Sequence, residues 1–166
     1  MGDGSIYHGE VAYELANHPT VYASAEEAPE EHRGKVKAVR HGYGIQLYGH
    51  NDKDQLIYYA GQWIKDHKNG LGVCFYPDGN YYQGTFKNDK FHEQGKLEFT
   101  SKDEYRGGWV DGKMEGEGFF NSSQVGTLYG AFKNNLMVYG DAQGLFVNPL
   151  TLGPDSQQYI KNFNGY

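Results

Sequence analysis

"YRGGWVDGKMEGEG" (residues 105–118) sets a tyrosine and a tryptophan among closely spaced glycines. Glycine inside regular structure costs roughly 0.5–1 kcal/mol relative to alanine, so this density needs a structural reason. Looking outward from it, the same letters recur at a constant interval of 23 residues: Tyr59, Tyr82, Tyr105 and Leu128. Two residues after each stand Gly61, Gly84, Gly107 and Gly130, and four residues after each stand Trp63, Phe86, Trp109 and Phe132. The second half of each unit supplies Gly72, Gly95 and Gly118. Between the halves lie Lys65-Asp66, Asn88-Asp89, Asp111-Gly112 and Asn134-Asn135, mostly small polar pairs suited to the positive backbone angles of a tight turn. Each unit therefore reads as a β-hairpin.

Residues two apart on a strand share a face, so the aromatic, glycine, aromatic triplet projects one way. A ring lies flat across a neighbouring strand only where that strand lacks a Cβ, and the ring restores the burial that glycine gives up. Burying about 150–250 Å² per ring at roughly 25 cal/mol per Å² more than offsets the glycine penalty. The expected fold is all-β: an elongated, single-layer antiparallel sheet of stacked hairpin repeats.

"YHGEV" from Tyr7 and "RHGYG" at 40–44 read as the two halves of a further unit, opened by an insertion at its tip over 14–38. Charge and proline in "EEAPEEHRGKV" make that insertion a mobile or partner-ordered arm with room for only a short helix. The turn after Tyr48, "GHNDKDQL", is also long. Glu93 stands where the other units have glycine, and the last unit weakens because Tyr139 and Asp141 occupy glycine positions. The array of about five units is placed at 1–146. A C-terminal extension fills 147–166, with any further helix confined to 150–162.

Lys+Arg 15 against Asp+Glu 21 gives a formal charge of −6, which opposes nucleic-acid binding, since that affinity comes mainly from cations on phosphate. The balance also weighs against anionic lipid, with one local basic cluster at Arg33, Lys35, Lys37 and Arg40. A single cysteine, Cys74, excludes an internal disulfide; with no apolar N-terminal segment, the expectation is a reducing, cytoplasmic setting. No metal site or cofactor is expected. His41 and His92 share a repeat position with Asn69 and Glu115, so they read as turn-packing residues, and the other histidines lack zinc-ligand spacing. Cys74 shares a position with Leu97 and Phe120 and reads as a packed apolar residue. Glu115 and Glu117 find no second layer that would build an acid–base site, so no catalytic residue is expected.

The units "YYAGQWIKDHKNGLGVCFYPDGN" (58–80), "YQGTFKNDKFHEQG" (from Tyr82) and "YRGGWVDGKMEGEG" (from Tyr105) resemble the MORN repeat, the membrane occupation and recognition nexus repeat. The resemblance covers about four fifths of the chain. It implies a non-catalytic protein–protein interaction scaffold in a cytoskeletal or ciliary, plausibly axonemal, assembly; the alternative it implies is a peripheral membrane tether reading phospholipid headgroups. Because a single-layer sheet leaves an apolar face in need of cover, and Tyr and Trp are frequent interface anchors, Tyr59, Trp63, Tyr82, Phe86, Tyr105, Trp109 and Phe132 are the candidate partner-binding residues. A helix or extended segment on that face, or a strand pairing at a sheet edge, is the expected partner.

Overall fold

The computed structural model describes residues 4–49, 56–123 and 126–140. The long turn after Tyr48 and the 147–166 extension, with the helix expected at 150–162, lie outside the described residues. The strands are β1 (Ile6–Leu15), β2 (Val21–Tyr22), β3 (Val36–Leu47), β4 (Tyr58–Ile64), β5 (His67–Phe75) and β6 (Tyr81–Lys87). They continue as β7 (Lys90–Glu98), β8 (Glu104–Val110), β9 (Lys113–Ser122), β10 (Gly126–Lys133) and β11 (Leu136–Gly140). All join one 11-stranded sheet in the order β11-β10-β9-β8-β7-β6-β5-β4-β3-β1-β2. Every pairing is antiparallel. The helical content of the described residues is one 3-10 turn at Glu30–His32. The predicted single-layer sheet of hairpins is the observed one. Its turn pairs adopt the left-handed angles expected of them, as at Asn88 (φ 47) and Asp89 (φ 70).

Ten of the strands place a glycine on one straight cross-strand row. Gly9, Gly44, Gly61, Gly72 and Gly84 pair in succession; Gly95, Gly107, Gly118, Gly130 and Gly140 carry the row to the far edge. A tyrosine lies over four of these pairs, Tyr7 over Gly9 and Gly44, Tyr59 over Gly61 and Gly72, Tyr82 over Gly84 and Gly95, and Tyr105 over Gly107 and Gly118. A Cβ added to Gly72 would stand 2.6 Å from the Tyr59 hydroxyl, and one on Gly84 would stand 2.5 Å from the Gly95 Cα. Both distances are below any real contact. The hydroxyl then donates to a main-chain carbonyl three residues on: Tyr7 to Glu10 (2.7 Å), Tyr59 to Gln62 (2.8 Å), Tyr82 to Thr85 (3.0 Å) and Tyr105 to Gly108 (3.0 Å).

That carbonyl sits at a bulge shared by these four units, because the register shifts just after Gly9, Gly61, Gly84 and Gly107. The bulge needs a left-handed residue on the returning strand, supplied by Gly42 (φ 87), Gly70 (φ 61) and Gly116 (φ 77) and, in the third unit, by Glu93 (φ 56). Glu93 thus keeps glycine's conformation without being glycine. In the last hairpin, where the repeat sets Asp141 at the position equivalent to Gly118, the register moves by one residue and Gly140 comes opposite Gly130. The shorter bulge preserves the glycine row.

The insertion differs from its expected bounds. Pairing of β1 with β3 continues to Leu15↔Val36, so the connection spans 16–35 rather than 14–38, because the hairpin ladder extends as far as its strands remain paired. The connection is anchored, not loose: β2 pairs back on β1 at Tyr13↔Tyr22 and Glu14↔Val21, and Lys65 Nζ donates to the carbonyls of His18 (3.1 Å) and Pro19 (3.0 Å).

Replacing Glu93 by glycine relieves a left-handed strain of about 1 kcal/mol, partly offset by the freer unfolded chain. The expected result is a gain of about 0.5 kcal/mol, read as a small rise in thermal midpoint. Gly84→Ala forces Cβ into backbone and is expected to lose about 3 kcal/mol or more, measured by urea unfolding.

Candidate partner-binding face

The seven candidate aromatic residues come together in one unbroken stack. Starting from Tyr7, edge-to-face contacts run Tyr7–Trp63 (5.9 Å), Trp63–Tyr59 (4.9 Å), Tyr59–Phe86 (5.0 Å) and Phe86–Tyr82 (5.1 Å). They continue Tyr82–Trp109 (5.5 Å), Trp109–Tyr105 (5.2 Å) and Tyr105–Phe132 (4.8 Å). Interplanar angles of 72–88° present ring edges to ring faces, the arrangement the ring quadrupole favours. Each contact between successive units joins a phase-zero ring to the next unit's fourth-position ring. Trp63 and Trp109 also donate from Nε1 to the carbonyls of Gly44 (3.3 Å) and Gly95 (3.1 Å).

The seven candidate rings are 0–6 % exposed, and Tyr7 is partly buried. Their burial comes from a second set of side chains that the sequence reading did not single out, at the ninth position of each unit. Phe91 stacks flat on Tyr82 (3.6 Å, 7°), Lys68 stands over the Tyr59 ring (6.0 Å), and Met114 is buried in the same cluster. In the first unit Arg40 covers Trp63 at 4.0 Å while its guanidinium binds Asp66 and Gln46. A partner on this face therefore meets few of the predicted rings directly. The signal available in the sequence was the 23-residue spacing of Lys68, Phe91 and Met114, hidden by their unlike chemistry.

Burial pushes the Tyr59, Tyr82 and Tyr105 phenols above the usual tyrosine range, so they remain donors. Burial likewise pushes the Cys74 thiol up to about 12; it stays protonated and packs as an apolar residue. Among the described residues no group of three His, Cys, Asp or Glu is placed to hold a metal ion.

The histidine position has a mechanical role. Asn69 Oδ1 accepts from the Asn88 N–H (3.2 Å), His92 Nδ1 from the Asp111 N–H (3.5 Å) and Glu115 Oε2 from the Asn134 N–H (3.0 Å). Three unlike acceptors serve there, which explains the variety, while at His41 in the first unit the buried Nδ1 has no hydrogen-bond partner among the described residues. The second turn residue grips the preceding unit in return: Asp66, Asp89 and Asn135 accept through Oδ1 from the N–H groups of Arg40 (2.8 Å), Lys68 (2.8 Å) and Met114 (2.7 Å). Their own N–H groups donate to the carbonyls of those same three residues. At the opposite hairpin ends Asn80 accepts from Thr100 N–H (2.9 Å) and Asp103 from Ser123 N–H (3.2 Å).

Among the described residues the ring face also holds a pocket of about 220 Å³, floored by Leu56, Cys74, Phe86 and Phe91, with Lys90 and Asp111 at its exposed rim. That volume lies below the roughly 300–1,000 Å³ of small-molecule sites and suits one large apolar side chain. The basic cluster is largely engaged within the chain: Arg33 Nε donates to the Ala28 carbonyl (3.2 Å), Lys37 pairs with Glu14 (3.3 Å), and Arg40 is held as described.

Comparison with known proteins matches the MORN repeat family to residues 59–81, 82–104 and 105–123. Alsin of Rattus norvegicus is 34% identical over 83 residues, and the alsins of Mus musculus and Homo sapiens are each 32% identical over 83 residues. Each match covers 47% of this chain and 5% of the relative's length. The chain thus spans a small fraction of the relatives it resembles.

Burial opposes ionisation of Asp89, but hydrogen bonds from His67 and the Lys68 N–H outweigh it and hold the carboxyl below its ordinary value of 3.8. Its contribution is therefore present above that value and is lost as pH falls through the lower folded value. Asp89→Ala is expected to cost about 1 kcal/mol through the lost turn clamp. Asp89→Asn keeps the acceptor, as Asn135 does, and is expected to lose less while flattening the acid limb of a stability-versus-pH curve.

Proposed function

The chain carries three consecutive MORN repeats at residues 59–123, and from that premise we propose that it is a non-catalytic scaffold whose aromatic face receives a helix or extended segment of a partner protein. MORN repeats are interaction modules for proteins or membranes. The observation that carries the reading is the pocket between Cys74 and Phe91: it opens on the ring face, its floor is apolar, and its rim holds both Lys90 and Asp111. An apolar anchor side chain fits the floor, and charged neighbours of either sign on the partner find an opposite charge at the rim. Desolvated central pockets of this kind are where interface energy concentrates. The aromatic stack beneath, including Tyr59, Trp63, Tyr82 and Phe86, then acts by holding the pocket's shape. The setting we propose, a cytoskeletal or ciliary assembly, rests on the family resemblance alone.

The protein-partner reading is favoured over the lipid tether because Arg33, Lys37 and Arg40 are already bound to acceptors in the chain. Lys90→Trp at the exposed rim obstructs the pocket without entering the ring stack. In affinity purification from cell extract, this variant is expected to lose its partners at least tenfold while melting like the parent chain. Recovery of the same partners in the same amounts by the folded variant would refute the pocket as the binding site.

A further inference from the structure

The face opposite the rings is the one that carries exposed apolar surface. Cross-strand register sets Leu47, Tyr58, Phe75 and Tyr81 side by side on β3 to β6, and beside them Ile45, Ala60 and Val73 form a second row. Tyr43 and Leu71 stand beyond at 60% and 67% exposure, with Ile45 and Leu47 each at 47%. None of these positions is charged. Charge begins on β7, where Glu98 and Lys96 stand opposite Tyr81 and Gln83, and there it is paired: Lys96 with Glu98 (2.8 Å) and Arg106 with Glu104 (2.9 Å).

We propose that this patch is the interface with a second copy of the chain, packed sheet face on sheet face about a two-fold axis. Three observations select that occupant. The patch crosses four strands, and with Ile6 on β1 a fifth; at about 4.8 Å per strand it is roughly 20 Å wide. A helix, about 10–12 Å across with its side chains, covers half of that, whereas a sheet of the same breadth covers it all. Five of its side chains, Ile6, Tyr43, Ile45, Leu47 and Leu71, are 47–67% exposed, which gives apolar surface on the order of several hundred Å², the scale of one side of a stable complex.

The third observation is self-complementarity. A two-fold contact brings each surface against its own image, so a patch of one charge sign would repel itself. This patch has no charge, and its border carries both signs. It also pairs a knob with a hole: Leu71, the most exposed of its side chains, stands at the edge of an open furrow of about 650 Å³ lined by Gly72, Gly84 and Gly95 and, toward the charged border, by Lys96 and Arg106, which Glu98 and Glu104 already pair. The glycine row that seats tyrosines on one face leaves bare backbone on the other, where a partner's Leu71 finds room.

Sedimentation of the full chain over a concentration series tests this directly. A dimer is expected, and it strengthens with added salt because screening weakens repulsion between two chains of net charge −6. Ile45→Glu with Leu71→Lys places charge on the patch and is expected to raise the dissociation constant at least tenfold with unchanged melting. Ala60→Cys, with buried Cys74 as the sole native thiol, is expected to cross-link the parent dimer under mild oxidation. A chain that is monomeric throughout, whether its patch stays open or is covered by residues 141–166 or another protein, overturns the proposal. So does a dimer that survives the folded double variant or gives no cross-link. None of these substitutions lines the pocket on the ring face, so failure here is separable from failure of the partner-binding reading.

Discussion

A tyrosine ring laid over a pair of facing glycines, with its hydroxyl bonded to the carbonyl of the adjacent bulge, is the constraint from which the remaining structure follows. The ring needs the two missing Cβ atoms, and the missing Cβ atoms need the ring. The hydroxyl requires the register shift that turns the carbonyl toward it, and that shift requires a left-handed residue on the returning strand. Tyr7, Tyr59, Tyr82 and Tyr105 repeat this geometry. Leu128 lacks the hydroxyl, and its hairpin has the shorter bulge. The coincidence fits a bulge whose full form is stabilised by the phenol.

Units built this way are held to one another by three separate means. The edge-to-face ring chain joins them through the middle of one face. The turn residues Asp66, Asp89 and Asn135 grip the preceding strand at one end of the hairpins, and Asn80 and Asp103 bond across at the other. Lacing at both margins and the centre resists both shear and bending of the ribbon. A single layer ordinarily lacks the partner layer that buries its apolar face; here long side chains at the ninth position of each unit, folded over the rings, substitute for it. The consequence for function is a reversal of faces. Among the described residues the candidate rings are covered, with a pocket beside Cys74, and exposed apolar side chains such as Tyr43, Ile45, Leu47 and Leu71 lie on the opposite face.

Much of the fold was legible because its cause is periodic. Strand pairing, hairpin turns and the glycine row all repeat with the 23-residue unit, and a ring beside glycine has few other physical uses. The substitutable histidine position was legible too: a site that accepts Asn, His and Glu in turn asks only for a lone pair. Less was visible where one geometric demand is met by unlike residues. Lys68, Phe91 and Met114 share a role as covers without sharing chemistry. The pocket at Cys74 arises from the packing of neighbouring units.

By itself the sequence determined the architecture, since spacing dictates which side chains share a face and which backbone positions must be bare. It also determined the absence of a disulfide framework and the acidic balance of the chain. Only the tertiary structure decided which side chains remain in contact with solvent. Exposure depends on what leans over a ring from the next strand and the next unit, a relation between residues distant along the chain that no local pattern encodes.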